Sequence, residues 1–295
     1  MDQAEGLRRL LVRNQTQVIT VVAGKPGVGR TSVTINLAAA LARLGKDVLV
    51  LDENHAPNNL LDRLGLFARH DLLDVVQGKC APSGAVLAAN GFNVLPTARA
   101  MYALAKLNHI EQQRLENALT EASGGADVML VDAAMLVGQA AVSSSLASGA
   151  KLLVVADATA SGITESYALI KRLALKNARL QFEIIVNKAG NNQEAKNVFD
   201  NMAKVARHHL SARLEYLGYI PADNKFKRAA QLGRSVVDAF PGACSAQSYL
   251  ALAQKLLCLP VNRDEQEGGI SHMMQSLIKQ VRNCRVNAAE NTLTM

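Results

Sequence analysis

The sequence contains no tryptophan, and aromatic residues make up only 4% of it. Its core therefore has to be built from Ala, Leu and Val, which suit helices packed on a parallel sheet. Cysteine is also scarce: Cys80, Cys244, Cys258 and Cys284 lie far apart. No pair has metal or redox spacing, so ordinary reduced thiols are expected. Long apolar runs are missing. The start, residues 1–13, is charged and lacks the apolar centre of a signal peptide. No run approaches the roughly 18 residues that a membrane-spanning helix needs. A cytoplasmic protein is expected.

What is present is apolar and basic. Of 295 residues, 49% are apolar and the net charge is +7. The length allows one large α/β domain with tails. The charge favours acidic surfaces, nucleic acid or anionic lipid, without choosing between them.

Short apolar, β-branched runs at residues 17–23 (QVITVVA) and 47–52 (DVLVLD) read as buried strands. Between them lies a helical pattern over residues 32–44, with Gly45 placed to end it. This is a βαβ unit. Further strands are expected at 92–96, 127–132, 151–156, 181–187 and 214–220, separated by helical patterns. The expected fold is a doubly wound, mostly parallel α/β sheet covered on both faces. The expected division is an arm at 1–15, a nucleotide domain at 16–261, a polar linker at 262–269, an amphipathic helix at 270–286 and a polar, disordered tail at 287–295.

The loop Gly24-Lys25-Pro26-Gly27-Val28-Gly29-Arg30-Thr31-Ser32 follows the first strand and opens the first helix. That context marks a phosphate-binding loop. Glycines let successive N–H groups turn toward phosphate oxygens, and the helix start adds its dipole. Thr31 is placed to ligate magnesium.

These residues resemble the MinD/ParA deviant-Walker family of P-loop ATPases, whose loop reads K-G-G-x-G-K-[ST]. The resemblance covers about residues 17–260. It implies ATP or ADP with Mg2+ as cofactors and an ATP-dependent homodimer in which Lys25, the signature lysine, reaches the partner's phosphates. It makes Asp52 the first acid of a D-x-D switch. Asp132 becomes the Walker B acid, which holds the metal through water with Thr31. Asn187, Pro221 and Asp223 fall in the adenine-reading segments. Three positions depart from the pattern. Arg30 replaces the usual loop lysine, a planar fork instead of a point charge. Asn54 replaces the second acid, so a water is poorly polarised there. Ala133-Ala134-Met135 replaces a glycine-bearing switch. Pro26 also removes one N–H donor. Weak hydrolysis with retained nucleotide binding is expected.

The two ends carry further signals. Asp2, Gln3, Ala4, Leu7 and Arg8 fit D-Q-A-x-x-L-R, which resembles the N-terminal activator helix of the FlhG (FleN) family of MinD-like flagellar regulators. That resemblance implies an FlhF-type GTPase as partner, together with flagellar basal-body or transcription-regulator proteins, and a position at the inner membrane, at a cell pole. Ile270, Met273, Met274, Leu277, Ile278 and Val281 repeat at helical spacing over an arc of roughly 140°. Lys279 lies on the opposite face, and the basic residues Arg282 and Arg285 follow it. After a polar linker this reads as a helix for an anionic membrane surface. The same pattern also fits a helix packed on the domain.

The alternatives are a ParA-type DNA or cargo partitioning ATPase, which leaves both ends unexplained, and a non-hydrolysing scaffold of the same fold. Sequence-specific nucleic-acid binding is not expected.

Overall fold

A computed structural model describes residues 16–135, 143–148, 150–177, 181–210, 212–259 and 270–281. In chain order its strands are β1 (Gln17–Ala23), β2 (Val48–Asp52), β3 (Leu87–Ala88), β4 (Asn93–Pro96), β5 (Val128–Asp132), β6 (Lys151–Asp157), β7 (Gln181–Ala189) and β8 (Arg213–Pro221). The helices are α1 (Arg30–Arg43), α2 (Leu60–Leu64), α3 (Leu72–Val76), α4 (Pro82–Ala85), α5 (Ala98–Ala103), α6 (His109–Ala122), α7 (Ala160–Asn177), α8 (Asn192–His209), α9 (Asn224–Gln231), α10 (Val236–Ala239), α11 (Cys244–Cys258) and α12 (270–281).

The strands form one sheet in the order β3-β4-β2-β5-β1-β6-β7-β8. All neighbours run parallel except β3, which pairs antiparallel with β4. The sequence pattern missed β3, because two residues are too few to show a period. Along β2, Val48 and Val50 enter one core while Leu49 and Leu51 enter the other. A strand covered on both faces has to be apolar throughout, which is why these runs do not alternate with polar residues.

One face of β1, β2 and β5 packs on α1 and α11. The opposite face is covered by α3 to α6 and by α12. Strands β6 to β8 pack on α7 and α8. Helix α1 is the central element. Leu37 and Leu41 are wholly buried, each worth about 1.5–3 kcal/mol of apolar burial. It ends where expected: Gly45 turns left-handed at φ 78°, its N–H bonds to Ala42, and the next N–H, of Lys46, bonds to Leu41. That pairing closes the last turn.

The parallel arrangement places the C-terminal ends of β1, β2, β5, β6 and β7 on one edge. The loop 24–29, Asp52, Asp132, Asp157 and Asn187 meet there. Asp52 and Asp132 stand side by side in register, as do Asp157 and Asn187. Ligands bind at such an edge, where the chain switches direction across the sheet. No helix among the described residues is long and apolar enough to cross a membrane.

Candidate functional site

The loop curls because its glycines permit it. Gly27 (φ 83°) and Gly29 (φ 100°) are left-handed. A Cβ on Gly29 would meet the Asn187 side-chain nitrogen at 2.4 Å, and one on Gly24 would meet the Glu165 backbone of α7 at 2.3 Å. Both positions therefore need glycine for close approach. Helix α1 starts at Gly29 with no side-chain cap. Its first N–H groups, on Arg30, Thr31 and Ser32, lack intrahelical partners and carry the positive dipole end.

These groups open into a pocket of about 840 Å³ lined by Lys25, Arg30, Arg63, Lys188 and Lys227, with Asp223 the sole acidic member among the described residues. Its volume lies in the range of small-molecule sites. Its charge and the uncapped helix suit a polyanion. Arg63 reaches over the loop to the Ser32 hydroxyl at 3.3 Å. Lys188, left-handed at φ 59°, donates to the Gly27 carbonyl at 2.6 Å. A non-glycine residue in that region costs about 1 kcal/mol or more, which the surrounding bonds must offset.

Lys25, the loop's first lysine, is folded back on its own chain. Lys25 Nζ donates to Ser161 Oγ at 2.7 Å and Thr159 Oγ1 at 3.1 Å, with Asp157 at 3.7 Å. Asn187 is buried and donates to the Val28 carbonyl at 2.7 Å. It braces the loop and contributes to the pocket wall. Pro221 and Asp223 line the far end of the pocket. The Asp223 carboxylate also accepts from the Lys225 N–H, starting α9, and from Ser245 Oγ at 2.8 Å, at the start of α11.

At the centre, Asp132 is completely buried. Its Oδ1 accepts from Arg30 Nε at 2.8 Å and from Thr34 Oγ1 at 3.3 Å. Its Oδ2 accepts from Thr31 Oγ1 at 2.8 Å and Asn54 Nδ2 at 3.0 Å. The pair expected to hold magnesium, Thr31 and Asp132, is thus assembled. However, about four lone-pair sites are all a carboxylate offers, and protein donors fill them. The residues as arranged do not fit the ion.

Asn54 is held by the same group. Its Oδ1 accepts from Arg30 Nη2 at 2.6 Å, and its Nδ2 also reaches the Asp52 carboxylate at 3.2 Å. Burial, then the charge of Asp132, pushes the Asp52 carboxyl up to about 6.

Sequence reasoning missed Glu53. Its buried carboxylate accepts from the Ala134 N–H at 2.9 Å, Ser143 Oγ at 2.8 Å, the Ser144 N–H at 3.0 Å and Ser144 Oγ. It therefore ties residues on both sides of positions 136–142 to the end of β2. A glutamate between two polar switch residues was the available signal. Asp157 was missed too, although it ends β6 as Asp132 ends β5.

The C-terminal helix departs from its lipid-facing reading in this conformation. Ile270, Met273, Met274, Leu277 and Val281 are buried in the same core cluster as Leu72, Leu104, Leu115 and Leu119, and Ile278 is partly buried beside it. The Ser148 N–H donates to Ser276 Oγ at 3.0 Å. Lys279 is exposed. An apolar stripe buries equally well against protein or lipid, so its pattern does not distinguish the two. Arg282, Arg285, Cys284, the linker and the arm Asp2–Arg8 lie outside the described residues.

Comparison with known proteins agrees with this geometry. The CobQ/CobB/MinD/ParA nucleotide binding domain matches residues 19–236. The antiactivator FleN of Pseudomonas aeruginosa is 35% identical over 264 residues, spanning 89% of this chain and 94% of FleN. MinD in the MinC:MinD cell division complex of Aquifex aeolicus superposes with a TM-score of 0.62 at 26% identity, covering 84% of this chain and all of that one. The septum site-determining protein MinD of Pyrococcus horikoshii, complexed with Mg-ADP, shares the fold with a TM-score of 0.59 at 20% identity, covering 82% of this chain and 96% of that one. With its phosphate loop, its parallel sheet and its likeness to FleN along nearly the whole length, the chain belongs to the CobQ/CobB/MinD/ParA nucleotide-binding family and, within it, to the FleN (FlhG) type.

Proposed function

We propose that this chain is a MinD-like nucleotide switch that controls the number and placement of flagella. The observation that carries the nucleotide half of this reading is the uncapped start of α1 opening into a pocket with five basic side chains. The phosphates of ATP or ADP lie against the N–H groups of residues 27–32, and the base lies toward Pro221 and Asp223. Hydrolysis runs at or near background, because the group that would orient water is Asn54, and its amide is committed to Asp52, Asp132 and Arg30.

The flagellar half rests on the likeness to FleN and on the arm. Asp2, Gln3, Ala4, Leu7 and Arg8 dock on an FlhF-type GTPase and stimulate it, with Gln3 near the attacking water. Flagellar basal-body or transcription-regulator proteins are the downstream partners. ATP drives a homodimer through Lys25. Helix α12 leaves its seat on the core beside α6 to reach an anionic membrane surface, and two copies on a dimer gain by avidity.

Calorimetric titration of the purified chain with ADP and ATP tests the nucleotide reading: saturable binding to one site per chain is expected. Absence of binding to both would leave a scaffold of the same fold as the better reading.

A further inference from the structure

Magnesium normally works at a phosphate loop by adding positive charge between the terminal phosphate oxygens and an acid at the end of a neighbouring strand. Here that acid, Asp132, has a cation already. Arg30 Nε lies 2.8 Å from Oδ1 in a pair whose side chains are 11% and 0% exposed. A second arm of the same guanidinium, Nη2, bonds to Asn54 Oδ1 at 2.6 Å. Thr31 and Asn54 take the other carboxylate oxygen. A carboxylate so bonded has no oxygen left for a metal or for its water shell. A divalent ion brought to this spot would also face the guanidinium across a few Å with little water between them.

Arginine can play this part where lysine cannot. Its fork holds the acid and the amide at once and keeps further N–H groups, and Arg30 lines the pocket where the phosphates would lie. We propose that Arg30 takes the place of the magnesium ion at this site, so that the chain binds its nucleotide's phosphates as the metal-free anion. The proposal rests on the nucleotide reading above and changes its cofactor: the nucleotide is retained and the metal is not required.

The test is titration of the full chain with ADP by calorimetry, once in magnesium and once in EDTA, repeated with Arg30→Lys. For the wild type, affinity in EDTA should equal or exceed that in magnesium, because free ADP is the ligand. An ammonium at position 30 is a single point charge that leaves the carboxylate open, so Arg30→Lys should bind ADP about tenfold tighter with magnesium than without. A second readout needs no nucleotide affinity: magnesium added to the ADP complex should leave the melting temperature of the wild type unchanged and raise that of Arg30→Lys. Wild-type binding that magnesium tightens more than about threefold overturns the proposal and leaves the nucleotide reading intact. Binding in neither buffer overturns both.

Discussion

Lys25 donates to Ser161 Oγ at 2.7 Å within its own chain, and Thr159 and Asp157 complete its surroundings. A lysine held this way has to leave these partners before it can reach a second protomer. Exposed contacts of this kind are worth about 0–1 kcal/mol each, so release is easy.

The first prediction follows from that tether. Lys25→Ala should weaken the ATP-dependent dimer by about tenfold or more while leaving monomer binding of ADP largely unchanged. Ser161→Ala should strengthen the dimer a few-fold, since it loosens the lysine at its shorter bond. Sedimentation velocity at saturating ATP measures both. A wild-type chain that stays monomeric at saturating ATP would rule out the Lys25-bridged dimer.

The second concerns turnover. Phosphate release by the wild type should be at or near background. Asn54→Asp alone would set a third carboxylate beside Asp52 and Asp132, so it should depend on Lys at 30 to open the site. The Arg30→Lys, Asn54→Asp double variant is expected to exceed wild type by about 10²-fold, the usual worth of a positioned acid–base group. A wild-type rate equal to that of an ordinary MinD-type enzyme would show that these substitutions do not limit hydrolysis.

The third is a pH dependence. Folding raises the Asp52 carboxyl from its ordinary 3.8 to about 6, chiefly by burial and secondly through Asp132. The folded state therefore holds this proton more tightly than the unfolded one. The stabilisation is fully present below 3.8 and is lost as pH rises through about 6. Integrated over that interval it is roughly 3 kcal/mol. Asp52→Asn should flatten the slope of stability between pH 4 and pH 6.5 in urea titrations. An unchanged slope would place the titrating group elsewhere.

The fourth concerns α12. Leu277 is 1% exposed, within the core that α6 also enters. Leu277→Glu should lower stability by about 3 kcal/mol, as a charge is forced into an apolar seat. On the release model it should also abolish ATP-promoted binding to anionic vesicles, and wild-type binding should fall with salt. If wild type ignores such vesicles at saturating ATP, α12 is a packing element and the membrane reading fails.

The fifth concerns the arm. A peptide covering residues 1–15 should stimulate an FlhF-type GTPase in trans, and Gln3→Ala should remove the stimulation without affecting ADP binding. Equal stimulation by both peptides would take Gln3 out of the chemistry.

Much of the local backbone around the site is legible in the sequence. Residues 17–23 and 47–52 are apolar without alternation, and only a strand buried on both faces needs that pattern. The glycines at 24, 27 and 29 signalled close backbone approach, and the fold supplied the neighbours: Glu165 behind Gly24 and Asn187 behind Gly29. Gly45 ended α1 as its position implied, because a left-handed C-terminal turn depends on local backbone alone.

Three things depended on distant parts of the chain. Arg30 and Asp132 are 102 positions apart, and only the parallel pairing of β1 with β5 brings the guanidinium onto the carboxylate. The sequence by itself showed that the loop lysine was missing; the tertiary structure decided that its replacement neutralises the acid next to it. Glu53 likewise looked like one more polar residue until its carboxylate met the N–H groups and hydroxyls of residues 134, 143 and 144. For α12, the spacing of Ile270, Met273, Met274, Leu277 and Val281 determined a helix with one apolar face. Where that face is buried was settled by the apolar core beside α6, because hydrophobic burial has no direction of its own and follows whatever apolar surface the fold presents.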